Sequence, residues 1–193
     1  MKTVQQLVDK YYTSNDFSML RDRTKQDYKY FLSVMCKEFG DVKYTDLTSK
    51  QAKHAYEDWV ARGISLANHV CTVSSIVFRY AIDMEYATIN PFANVKRKSA
   101  PQRKVVWTED DVRQFLDTAY STFEWRSIGL IVHMAYEWCQ RLGDMRLLTW
   151  NNFDFANRKL SLEQSKRRSQ VTLPIEDDLY DMLIHQEQDF GFQ

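Results

Sequence analysis

Apolar residues recur at helical spacing along most of this chain. Val4, Leu7, Val8, Tyr11 and Tyr12 predict a helix over 3–13. Tyr28, Phe31, Leu32 and Met35 line one face of a second, over about 22–38, with Gly40 beyond its end. The stretch between them, 15–20, reads as a loop. Thr48 with Gln51 three residues on has the form of a capping box and opens a third helix that ends near Gly63. Ser65 starts a fourth, with an apolar stripe of Val70, Val73, Val77, Tyr80, Ala81 and Met84. The Asn90-Pro91 pair breaks the helical pattern beyond that stripe. Residues 1–95 are therefore expected to form one all-helical domain.

The pattern then lapses. Residues 96–104 contain Lys96, Arg97, Lys98, Arg103 and Lys104, a proline and no acidic residue. This composition, over 96–106, reads as a linker, and either as a solvated tether or as a basic strap lying on a phosphate backbone. Periodicity resumes in a second domain, 107–193. Thr108 and Asp111 cap a helix over about 109–120. A helix over about 125–139 has Ile128, Ile131, Val132 and Ala135 as its inner face, and another spans about 142–149. The period then falls to two. Residues 159–163 and 170–174 alternate around the basic turn Ser165-Lys166-Arg167-Arg168-Ser169, which predicts a β-hairpin with an exposed basic tip. Residues 152–155 could add a third strand. A last helix begins near Glu176 with Leu179, Met182 and Leu183 on one face.

Composition narrows the class further. Five glycines and three prolines in 193 residues argue for helices over an all-β chain. The formal net charge of zero weighs against a nucleic-acid partner, but the positive charge is clustered, and the local footprint decides binding. Cys36, Cys71 and Cys139 have no metal-ligand spacing and read as buried free thiols. No cofactor or metal is expected. No apolar run approaches the roughly 20 residues that span a bilayer, and no signal peptide opens the chain, so a cytoplasmic protein without a membrane partner is expected.

Residues 140–150, Gln-Arg-Leu-Gly-Asp-Met-Arg-Leu-Leu-Thr-Trp, are the most specific segment. They resemble the first active-site box of the tyrosine recombinases, the phage integrase family, in which an Arg, a small residue and an acidic residue precede a Leu and a Trp. Residues 85–91 resemble that family's exit from its core-binding domain, 107–111 the start of its catalytic domain, and 154–174 the hairpin after the first box. The matches fall in family order and cover nearly the whole chain. There are departures: Cys139-Gln140 stands where the family often has Thr-Gly ahead of the Arg, and Asp144 where Glu is commoner.

The resemblance implies a mainly α protein: an all-helical SAM-like core-binding domain, then a truncated α+β catalytic domain with a small antiparallel sheet. It implies that Arg141 is the first of two arginines holding the scissile phosphate, a task suited to a planar, bidentate guanidinium. Asp144 would hold Arg141 in place, unless the two form only a surface ion pair. Lys166 would be the general acid that protonates the leaving group, unless the turn merely touches phosphates. Arg167 and Arg168 flank it. The core-binding helices of the family lie across the duplex. That makes Asn68, His69 and Arg79 candidate DNA contacts beside Lys96, Arg97, Lys98, Arg103 and Lys104.

The implied partners are double-stranded DNA and other recombinase subunits on it, with this chain alone expected to be a monomer in solution. The family's second box, His-x-x-Arg followed by a nucleophilic Tyr, is not found: His54, His69, His133 and His185 all lack an Arg three positions on. Tyr180 reads as a packing residue. The chain is thus expected to be the DNA-binding portion of an integrase that, when complete, works through a covalent 3'-phosphotyrosine, and to be inactive by itself. A non-catalytic protein occupying recombination or regulatory sites is the alternative, and a helical interaction module without DNA is a third reading, favoured only by the neutral charge.

Overall fold

The computed structural model describes residues 2–101 and 104–190, and the chain divides into two compact units, 1–103 and 104–193. Arg103, a candidate strap residue, lies outside the described residues.

The first unit is helical. It comprises α1 (Val4–Tyr12), α2 (Asn15–Ser18), α3 (Asp22–Phe39), α4 (Ser49–Arg62) and α5 (Ile64–Asp83). The capping box of α4 forms as its sequence predicts, and Thr3 with Gln6 makes a second one on α1. The 15–20 stretch is not all loop. Ser14 accepts a hydrogen bond from Phe17 N–H at 3.2 Å, which closes the single turn of α2, and Phe17 is buried. Helix α5 ends at a left-handed Glu85 (φ 57°), with Tyr86 N–H donating to Ala81 C=O at 2.7 Å. Met84, expected on the inner stripe, is therefore at the cap and exposed.

Asn90 closes this unit. Its amide donates to Ser75 C=O at 2.9 Å and its carbonyl accepts from Phe92 N–H at 3.0 Å. Phe92 is thereby fully buried against Trp59, Phe78 and Phe39. The Asn-Pro step is thus a plug as well as a break.

The second unit opens with α6 (Glu109–Ser121), capped by Thr108 and Asp111. A short 3₁₀ turn leads into α7 (Arg126–Glu137) and the one-turn α8 (Leu142–Met145). A second 3₁₀ turn precedes the antiparallel sheet β1 (Phe153–Asp154), β2 (Lys159–Glu163) and β3 (Gln170–Pro174), in the order β1-β2-β3. Helix α9 (Asp177–Phe190) follows. Leu160 and Leu162 face inward from β2 and pack with Leu130, Met134, Leu179 and Leu183. The buried face of α7 is therefore Gly129, Leu130 and Met134. Ile128, placed inside by its periodicity, is exposed.

Gly129 lets α6 and α7 approach closely. A Cβ there would stand 2.9 Å from Ala119 Cβ and 3.0 Å from the Tyr120 ring. That ring cannot swing clear, because Tyr120 OH and His133 Nδ1 are hydrogen-bonded at 2.9 Å. His133 is accordingly a packing residue, and burial lowers its pKa. Gly129→Ala is expected to destabilise the second unit by about 1–2 kcal/mol, overpacking outweighing the better helix propensity. Urea unfolding followed by tryptophan fluorescence measures this.

Candidate functional site

The site is built where α8 begins. Trp138 is buried and its indole N–H donates to Pro174 C=O at 2.7 Å, fastening the end of α7 to β3. The chain then turns through Cys139, which adopts a left-handed conformation (φ 50°) with an exposed side chain. Cys139 is therefore neither buried nor helical, unlike Cys71, which is buried. Arg141 follows as the N-cap of α8, in extended conformation. It is not inside a helix, and the expected helix over 142–149 is only one turn long. Beyond it, Thr149 donates its N–H to Asn152 Oδ1 at 2.9 Å, which sets up the 3₁₀ turn that precedes β1.

Asp144 is the pivot. It is 4% exposed, so it does not form a surface ion pair. Its Oδ1 accepts the Ser165 backbone N–H at 3.1 Å, and its Oδ2 lies 3.6 Å from Arg141 Nη1. The second contact exceeds hydrogen-bond length, and Oδ2 has no hydrogen-bond partner among the described residues. The carboxylate thus attracts the guanidinium without saturating it. The Arg141 side chain, 46% exposed, keeps donors free for another anion. Ser165, through its hydroxyl and then its N–H, and Arg141 hold the Asp144 carboxyl below its usual pKa, against the effect of burial.

A second link runs parallel to the first. Gln164 donates its amide to Gln140 Oε1 at 2.6 Å, and Gln140 donates to Trp138 C=O at 3.0 Å. Gln164 N–H and C=O also close the hairpin turn, bonding Ser169 C=O at 2.9 Å and Arg168 N–H at 2.7 Å. Arg168 adopts a left-handed conformation (φ 53°). The arginine loop and the hairpin turn are therefore joined at Gln140–Gln164 and at Asp144–Ser165. Lys166, the next residue, leaves from that junction, and Lys166, Arg167 and Arg168 are all exposed. The apolar cavity of about 300 Å³ lined by Leu130, Met134, Met145 and Trp150 is separate and includes neither Arg141 nor the turn.

In the first unit, Asn68 is committed within the protein. Its amide accepts from Tyr56 OH at 2.8 Å and donates to Lys98 C=O at 2.9 Å, while Lys98 N–H donates to Tyr56 OH at 2.6 Å. The segment bearing Lys96, Arg97 and Lys98 is thus strapped to α4 and α5, with all three side chains exposed. Lys104, in the second unit, is exposed too. His69 stacks on Phe31 (5.0 Å, 15°), and Arg79 is exposed further along α5. Sequence reasoning does not find Tyr56, Gln140 or Gln164. Their partners lie 42 and 24 residues away, and no local pattern carries that information.

Residues 106–190 match the model of the phage integrase family. The fold is similar to that of a chain in a lambda integrase dimer bound to a COC' core site, at TM-score 0.84 and 20% identity, over 98% of this chain and 55% of that one. A lambda integrase tetramer bound to a Holliday junction matches at 0.84 and 21%, over 99% and 58%. The Tn1549 transposon integrase in complex with a circular intermediate DNA matches at 0.78 and 16%, over 98% and 66%. Comparison with curated proteins gives no significant match. The family match covers most of the second unit and none of the first. The chain spans little more than half the length of the lambda integrase chains it matches. Among the described residues no group of side chains could hold a metal ion, and no helix is long and apolar enough to cross a membrane.

Asp144→Asn keeps the size but removes the charge that attracts Arg141. Ser165 amide exchange, followed by NMR, is expected to speed up about tenfold, as loss of a charge-assisted hydrogen bond implies. The sign with pH comes from the lowered pKa. The contribution of the carboxylate is complete above the unfolded value of about 4 and is lost as pH falls through the depressed folded value. Cys139→Gly relieves the left-handed strain and is expected to stabilise by roughly 0.5–1 kcal/mol, net of the added unfolded-chain entropy. A denaturation midpoint that fell would contradict this.

Proposed function

We propose that this chain is the DNA-gripping portion of a site-specific tyrosine recombinase, with Arg141 holding the scissile phosphate and Lys166 positioned to protonate the leaving oxygen. The observation that carries this reading is the buried Asp144, which links the half-exposed Arg141 to the turn bearing Lys166. A planar guanidinium with uncommitted donors suits two non-bridging phosphate oxygens, and preorganised charge of this kind is a large catalytic term. The similar lambda and Tn1549 structures are complexes with DNA, which supports duplex DNA as the partner, and the lambda dimer and tetramer forms support partner subunits on it.

The exposed Lys96, Arg97, Lys98, Lys104, Arg167, Arg168 and Arg79 contribute phosphate contacts in this proposal, and His69 lies on the same DNA-facing unit. Asn68 acts as the residue that holds the strap and not as a reader of bases. None of the four histidines supplies a His-x-x-Arg motif. The activity proposed for these residues is therefore phosphate binding; strand cleavage and rejoining through a 3'-phosphotyrosine belong to the complete enzyme. The chain alone is proposed to be a monomer in solution and inactive, in an intracellular setting where DNA is the substrate.

A gel shift on duplex DNA at rising salt tests the grip. Log affinity is expected to fall linearly with log salt, by about 0.9 for each phosphate neutralised. Arg141→Ala is expected to weaken binding five- to tenfold, roughly 1–1.5 kcal/mol, and Lys166→Ala to make the slope shallower by about one. Absence of any shift at low salt would refute the DNA reading.

A further inference from the structure

A cavity of about 190 Å³ in the first unit is lined by Lys2, Gln6, Leu7, Lys10, Tyr44 and Tyr86. These residues come from three separate segments of the chain, 2–10, 44 and 86, and three local structures bring the segments together. Gln6 and Lys10 are four residues apart on α1 and so share one face. Tyr44 follows Lys43, whose bridge to Thr3 runs the 40–44 loop beside the start of α1, with Val4 N–H bonded to Val42 C=O at 2.9 Å. Tyr86 is delivered by the left-handed Glu85 that ends α5.

The lining is rich in donors. Lys10 Nζ lies 4.3 Å, and Lys2 Nζ 5.3 Å, from the centroid of the Tyr86 ring. Two ammonium groups held against one ring repel each other, and a cation–π contact at an exposed site offsets little of that. Among the described residues no carboxylate lies within ion-pair distance of either lysine. The ionisable groups that face Lys10 are the phenols of Tyr86, Tyr80 and Tyr44, and contact with Tyr86 raises the Lys10 pKa, so the ammonium persists across neutral pH. The Gln6 carbonyl is occupied by Thr3 N–H at 3.1 Å, which leaves its NH₂ free to donate. The Tyr44 hydroxyl has no hydrogen-bond partner among the described residues.

We infer that this cavity is a phosphate-group site, in which Lys2 and Lys10 supply the charge and Gln6, Tyr44 and Tyr86 supply neutral donors. The chemistry is complementary to a tetrahedral oxyanion: two cations, several hydrogen-bond donors and no competing carboxylate. The phosphate can come from a DNA backbone or from a free phosphate-bearing molecule. The site stands independently of the Arg141 reading, since it lies in the other unit and uses none of the same residues.

The test is a ¹H–¹⁵N NMR titration of the 193-residue chain with inorganic phosphate, against chloride at equal ionic strength. The amides of Gln6, Lys10 and Tyr86 are expected to shift saturably with phosphate only. The Lys2→Gln/Lys10→Gln double variant, changed at two exposed side chains, is expected to bind phosphate roughly tenfold more weakly or worse, with the rest of its spectrum unchanged. The same pair of proteins is then compared on duplex DNA at rising salt. A slope shallower by about two in the variant identifies the DNA backbone as the source; equal slopes identify a free phosphate-bearing molecule. Chloride and phosphate acting alike on the wild-type chain, or a variant that binds phosphate as tightly as the wild type, overturns the proposal. If the wild-type chain bound no DNA at all, the phosphate titration alone would still decide.

Discussion

A carboxylate inside a protein is costly to hold there unless its charge is met, and the second unit of this molecule is arranged around meeting one. Asp144 has lost nearly all its solvent, and among the described residues Ser165 and Arg141 replace it. The first contact binds the hairpin turn to the loop before α8. The second fixes the azimuth of the arginine while leaving its donors unsatisfied. The Gln140–Gln164 bond repeats the connection earlier on each segment. Two parallel links resist rotation of the turn in a way that one cannot. A flexible basic turn thereby becomes a positioned one.

The first unit solves a related problem with neutral groups. Tyr56 and Asn68 form a small closed circuit with both backbone groups of Lys98. Each of the three residues in that circuit both donates and accepts, so its polar groups are met within the protein. The result is a basic segment whose path is set by uncharged hydrogen bonds, while its side chains stay free for an external anion. Asn90 does similar work at the base of the unit, converting a helix-breaking dipeptide into the seat for Phe92.

How much of the molecule is legible in its sequence depends on the range of each interaction. The hairpin strands fall at their expected limits, because alternation and a polar turn are local signals. The capping boxes at Thr48 and Thr108 are likewise complete within four residues. Periodicity brings Ile131 and Ala135 of α7 onto the core as expected but takes Ile128 inward in place of Leu130, because the two are equally apolar and the close approach permitted by Gly129 is not a local signal. It also makes the helix after Arg141 too long, because residues 149–152 form a separate 3₁₀ turn held by Asn152, whose amide also reaches Ser161 C=O of β2. At the candidate site, Arg141, Asp144 and Lys166 are legible as residue types in a pattern. The glutamines, Tyr56 and the lysine–tyrosine cavity are not, since each pairs segments that only the fold brings together.

The left-handed turn at Cys139 gives this protein a chemical handle. Its thiol is exposed two residues before Arg141. The other two are poor nucleophiles at neutral pH: burial pushes Cys36 up to about 11, and it raises Cys71 despite the nearby Arg97. A thiol-directed fluorophore or spin label therefore attaches preferentially beside the arginine, without removal of native cysteines. The wild-type chain thus carries its own reporter position, close enough to sense an anion arriving at the guanidinium.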